Sequence, residues 1–161
     1  MHKQKWGSYS TGSLFMGDLI PASLDAAEDA GVEPAKLKSF HSLWDRLAEF
    51  DDEDTIQEIG SEEELNIGKE KEWLYAEIVQ TIEEALPSYF YYGSTEGDGA
   101  DIGIWPDWPG VEEDIRCKEI EKYDNLPESK TTDYVVTVTD HGNVTLWVWD
   151  EKEYVEVWGI V

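Results

Sequence analysis

Cysteine is almost missing from this chain of 161 residues. Cys117 stands alone, which excludes an intramolecular disulfide and a cysteine-built zinc cluster. Basic residues are few as well, and only Arg46 and Arg116 among the twelve are arginines. No run approaches the roughly eighteen apolar residues of a membrane span. The start, Met1-His2-Lys3-Gln4-Lys5-Trp6-Gly7-Ser8, is basic but has no continuous apolar stretch behind it, so it does not read as a signal peptide. No phosphate-cradling glycine loop and no nucleophile elbow occurs. These absences point to a reducing cytosol and away from the common cofactor-binding enzymes, and no cofactor is expected.

What the chain does have is acid. Thirty-seven Asp and Glu face twelve Lys and Arg, for a net charge of −25 and a pI near 4.1. Disordered acidic tails lack aromatic residues, whereas this chain carries eight Trp, eight Tyr and four Phe and is 40% hydrophobic. A folded domain with a strongly negative surface is expected. Solubility needs a net charge of only about 2–8 for a small domain. Halophilic proteins commonly replace Lys, but ten of the twelve basic residues here are Lys. An anionic membrane or a bare nucleic acid would be repelled. The expected partner is therefore a basic protein, one whose own ligand is DNA or RNA.

The order of patterns predicts an α+β fold, with N-terminal helices packed on one face of a C-terminal antiparallel sheet of about five strands. The whole of 1–161 reads as a single acidic domain, mainly helical over 1–87 and mainly strand over 88–161. A short strand or extended arm is expected at 8–17. A helix capped by Asp18 follows, burying Leu19, Ile20, Leu24 and Ala27 and closing at Gly31. Pro34 opens a second helix with Leu37, Phe40, His41, Trp44, Leu47 and Ala48 on its apolar stripe. Ser61 and Glu64 form the pattern of a capping box. The long helix behind it runs to about Leu86, stopped by Pro87, with Trp73, Leu74, Ile78, Ile82 and Leu86 inward and Gly68 as a weak point. Strands are then expected at 88–93, 100–105, 133–139, 143–149 and 153–160, with a turn at 106–110 and a short helix at 111–122. In the 143–149 strand, Val144, Leu146 and Val148 point one way and Thr145, Trp147 and Trp149 the other.

Three segments carry a resemblance. They are Thr11-Gly12-Ser13-Leu14 through Asp18-Leu19-Ile20-Pro21-Ala22, Tyr91-Tyr92-Gly93 with Gly97-Asp98-Gly99-Ala100-Asp101-Ile102-Gly103-Ile104-Trp105-Pro106, and Asp140-His141-Gly142-Asn143-Val144-Thr145-Leu146. Together they resemble a family of small acidic hypothetical proteins from bacterial, phage and plasmid genomes. The resemblance implies a bacterial or mobile-element setting and a shared fold. It carries over no catalytic residue, since the family has no established activity.

Two loops hold candidate chemistry. Glu96-Gly97-Asp98-Gly99-Ala100-Asp101 places carboxylates around glycines, as calcium loops do, but lacks the bidentate glutamate of an EF-hand. A hairpin connection is the simpler reading. Asp140-His141-Gly142-Asn143 suits a hairpin turn with Gly142 or Asn143 at positive φ. A divalent-metal or hydrolytic protein would draw on Asp98, Asp101 and His141, with Asp107 near them. Cys117, flanked by Arg116 and Lys118, has no sequence link to His141.

The acids themselves are the stronger candidate. Residues 45–64 hold ten acids against Arg46 alone, net −9. Glu63, Glu70, Glu77 and Glu84 recur every seven residues and stay nearly on one helical line. A folded chain of 18.4 kDa exposes on the order of 8,000 Å², or about one net charge per 330 Å². Duplex DNA carries one charge per ~1.7 Å of axis, very roughly one per 100 Å² of its surface. Imitation of DNA therefore needs the acids gathered. The sequence nominates Glu49, Asp51, Asp52, Glu53, Asp54, Glu58, Glu62, Glu63, Glu70, Glu77 and Glu84 for binding a basic partner. Trp147 and Trp149 are a second candidate surface, for a partner, for assembly or for a homodimer.

Overall fold

The computed structural model describes residues 3–51 and 60–161, with Asp51 described for its backbone only. The chain divides into two compact units, Lys5–Trp105 and a second made of Met1–Gln4 with Pro106–Val161. Each is an α+β assembly, so the expected class holds. The strands fall into sheets of three and four rather than one sheet of about five. The reason lies in strand β1 (Gly7–Ser10), which pairs antiparallel with β3 (Asp98–Pro106) and gives the N-terminal helices a sheet of their own. In that sheet the order is β1-β3-β2, β2 being Phe90–Thr95.

In the first unit, α1 (Met16–Asp29) begins before the expected cap. Phe15 is extended, and its carbonyl accepts from the N–H groups of Asp18 and Leu19, each at 3.0 Å. Asp18 sits in the first turn, where its charge meets the positive end of the helix dipole. Leu19, Ile20, Leu24 and Ala27 are all buried, as the spacing requires. Gly31 takes φ +85 just past the helix end, a conformation that glycine adopts without strain. Helix α2 (Pro34–Ala48) opens on Pro34 as expected and buries Phe40 and Leu47, but His41 is exposed. A short 3-10 turn, Glu49–Asp51, follows.

Helix α3 (Ser61–Ala85) starts at its N-cap Gly60, whose carbonyl accepts from Glu64 N–H at 3.1 Å. No side-chain cap forms, so the expected capping box is absent: Ser61 is already the first helical residue. The helix stops at Leu86, whose extended backbone is what a following proline demands. Leu74, Ile78 and Ile82 are fully buried. Trp73, expected beside them, is 57% exposed. At 100° per residue it stands about 140° from Ile78 and about 180° from Ile82, so it faces away from the core. Leu86 is half-buried. Helix α1 packs on α2 and α3 and touches β1, while α3 packs on α2 and touches β2.

In the second unit, α4 (Trp108–Cys117) begins earlier than expected because Asp107 caps it, accepting from Gly110 N–H at 3.1 Å. Lys118 then turns left-handed at φ +66 and ends it. The sheet order is β4-β5-β6-β7 over Glu121–Tyr123, Tyr134–Val138, Val144–Asp150 and Glu153–Ile160. The pair β4–β5 is parallel, and the unexpected β4 follows α4 directly. The other two pairs are antiparallel, with a register shift at Leu146/Trp147. Buried Trp158 meets Trp108 edge-on at 6.5 Å. Tyr154 Oη donates to Thr132 O at 2.8 Å and accepts from Thr131 N at 3.0 Å, tying β7 to the lead-in of β5.

Gly103 faces Ser8 across the β1–β3 pair, and a Cβ there would collide with the carbonyl of Gly7. Gly103→Ala is expected to cost about 2–3 kcal/mol by overpacking against backbone that cannot rotate away. Urea unfolding checks this, and a loss below about 0.5 kcal/mol would contradict the close approach.

Candidate functional site

The acids are not shared equally between the units. Lys5–Trp105 holds twenty-three Asp and Glu against six Lys and Arg, net −17. The other unit holds fourteen against six, net −8. Two helices carry most of the described excess. On α1, Asp18, Asp25 and Asp29 fall within about 40° of one line, with Glu28 beside it. On α3, the first turn presents Glu62, Glu63 and Glu64, a placement that the helix dipole favours.

The seven-residue line survives folding. Glu63, Glu70 and Glu84 are exposed and Glu77 is half-buried. The line is partly neutralised at Glu70, where Arg46 of α2 approaches to 3.6 Å. That pair is exposed at both ends and contributes little. Glu84 accepts from Gln80 at 2.9 Å, and Glu72 is exposed. Glu83 serves the fold instead: its Oε1 accepts from Tyr92 N–H at 2.5 Å and so ties β2 to α3. Glu49 is exposed on the 3-10 turn. Asp52, Glu53, Asp54 and Glu58, together with the side chain of Asp51, lie outside the described residues.

The tryptophan pair of the other unit is occupied within its own sheet. Trp147 Nε1 donates to Thr137 Oγ1 at 2.9 Å, and Trp149 meets Tyr154 edge-on at 5.0 Å. Both are half-buried, and Val135, the cross-strand neighbour of Trp147, is fully buried. Exposed aromatic surface lies instead at Trp6, Phe15 and Trp73, the last of which the apolar spacing of α3 expects in the core. The helical angle between Trp73 and Ile78 was the signal that would have found it.

Neither chemical loop gathers a cluster. Glu96 and Gly97 form the turn between β2 and β3, with Gly97 at φ +90, and Asp98 Oδ1 accepts from Ala100 N–H at 3.0 Å. Asp101 is half-buried, its Oδ1 enclosed without a hydrogen-bond partner among the described residues. His141 is exposed in the β5–β6 turn, where Gly142 takes φ +84. Among the described residues no three of His, Cys, Asp and Glu gather closely enough to hold a metal ion. Asp107 is engaged as the cap of α4. Cys117 is exposed, and local desolvation together with its hydrogen bond to Glu113 pushes its thiol upward, which disfavours the nucleophilic thiolate.

A second acidic feature is a groove of about 350 Å³ between β1 and α1, lined by Lys5, Trp6, Tyr9, Asp25, Glu28 and Asp29 among others. Asp29 Oδ2 accepts from Lys5 Nζ at 2.7 Å and from Tyr9 Oη at 2.6 Å. Burial pushes the Asp29 carboxyl up, but the hydrogen bonds from Lys5 and Tyr9 outweigh it and hold it below the ordinary 3.8. The bond to Asp29 raises Lys5, and burial followed by that carboxylate raises Tyr9. This triad fastens the lead-in and strand of β1 to α1.

No helix among the described residues is long and apolar enough to cross a membrane. No family model, no curated protein and no solved structure matches the chain.

The triad sets a pH dependence. The folded pKa of Asp29 lies below its unfolded value, so its contribution is present above about pH 4 and is lost as pH falls through the folded value. Lys5 and Tyr9 shift the other way, so their share persists below about pH 10 and fades at higher pH. Asp29→Asn is expected to lose about 1–2 kcal/mol at pH 7. The gap between wild type and variant should close in acid. Chemical denaturation at pH 3 and pH 7 checks it, and an equal gap at both would refute the assignment.

Proposed function

We propose that the protein is a non-enzymatic, acidic binding protein of the bacterial cytosol that occupies the nucleic-acid site of a basic protein by imitating the charge of a nucleic acid. One observation carries the reading: a single compact unit bears −17, and its two packed helices α1 and α3 both turn carboxylates to solvent. Carboxylates seven residues apart rise about 10.5 Å along a helix. One such line is sparser than a phosphate backbone, but the carboxylates of two neighbouring helices together bring the spacing down. A basic groove attracts such a surface by the steering that draws in DNA. Anti-restriction and anti-CRISPR inhibitors are the class of activity that this chemistry fits, and the bacterial, phage and plasmid resemblance favours the same setting.

The test uses immobilised full-length protein in bacterial lysate, washed at about 50 mM and at about 500 mM salt. Nucleic-acid-binding proteins are expected in the low-salt fraction, displaced by added duplex DNA. A variant with Glu62, Glu63, Glu70, Glu77 and Glu84 changed to Lys should lose them. Capture that survives both charge reversal and competing DNA would overturn the reading.

A further inference from the structure

Helix α3 carries an apolar stripe that the described residues leave exposed. Leu65 is 59% exposed and Trp73 57%, two turns apart on the side away from Leu74, Ile78 and Ile82. Lys69 lies between them, and its aliphatic stem continues the stripe. Gly68 sits beside it in the helix interior, where glycine is unfavourable. No described atom comes within 4 Å of the place where its Cβ would stand, so packing within the described residues does not account for it. The result is an open notch of about 470 Å³ lined by Ser61, Glu64, Leu65, Gly68, Lys69 and Glu72. Glu62, Glu70 and Glu72 stand around the stripe, all exposed.

We propose that this stripe is the docking site for an arginine-bearing segment of the basic partner, with Trp73 stacking on a guanidinium and the notch at Gly68 receiving the segment beside it. The inference rests on the charge-mimicry reading and adds to it a preference for arginine. Charge selects the occupant. A second copy of this chain would bring its own −17 unit and be repelled, whereas a cationic chain meets an exposed indole with Glu70 and Glu77 on the adjoining helix face. Between the two cations, the planar and weakly hydrated guanidinium stacks on an indole face better than an ammonium does.

Fluorescein-labelled octa-arginine and octa-lysine, titrated against the full chain at low salt, provide the test. Octa-arginine should bind about two- to fivefold more tightly, the size of an exposed cation–π contact. Trp73→Ala should bring that ratio to about one with octa-lysine affinity unchanged, Trp73→Phe should keep part of it, and a thermal melt confirms that both variants fold. Gly68→Leu, which fills the notch, should weaken octa-arginine severalfold. Equal affinities in the wild type, or an arginine preference that survives Trp73→Ala, would overturn this inference while leaving charge mimicry standing. Failure of both peptides to bind the wild type would overturn both.

Discussion

The burial of one stripe of α3 decides what the first unit presents to its surroundings. Leu74, Ile78 and Ile82 are fully enclosed against neighbouring helices, and burying side chains of this size is worth about 1.5–3 kcal/mol each. Opposing that is the repulsion along the Glu63-Glu70-Glu77-Glu84 line. Two charges about 10.5 Å apart in water repel by about 0.4 kcal/mol, and physiological salt screens most of it. The apolar stripe therefore wins by a wide margin. Once it is turned inward, the 3.6-residue period leaves the glutamate line nowhere to go but the flank and the solvent side.

The same balance explains where acids are spent on the fold. Glu83 accepts from a β2 amide, Asp29 from Lys5 and Tyr9, and Asp107 from the first turn of α4. Glu83 and Asp107 take backbone N–H donors, Asp29 takes two side-chain donors, and in each case the charge becomes structural. Glu62, Glu63 and Glu72 are exposed, and the long helix has no base in its last turn. A surface charged for solubility alone would intersperse both signs. The contrast between structural carboxylates and open ones separates the acids that fold the protein from those left to solvent.

Helices were legible wherever apolar spacing was regular. Leu19, Ile20, Leu24 and Ala27, and likewise Leu74, Ile78 and Ile82, reach the core because each set occupies one face. The proline at 34 and the glycines at 31, 97 and 142 marked the first helix turn, the helix end and two turns by backbone preference alone. Pairing was not legible in the same way. That β1 joins β3 from before the helical stretch of the sequence to beyond it, and that β4 runs parallel to β5, are long-range matters that local pattern does not encode. Trp73 was misplaced because a tryptophan next to a leucine reads as core in a one-dimensional count, although 100° of helical rotation separates the two.

An exposed tryptophan and an interior glycine in an otherwise well-formed helix are both costly to keep. The first wets a large apolar face; the second gives up about 1 kcal/mol of helix stability relative to alanine. Within the described residues neither is repaid by packing, since Trp73 faces solvent and no described atom occupies the space beside Gly68. Gly103, by contrast, admits the Gly7 carbonyl. Charge alone would draw this helix to any cation and would tolerate a smooth, fully polar face. On the docking proposed above, a notch and an indole beside glutamates add shape to attraction, and shape is what lets an anionic surface favour one basic chain over another.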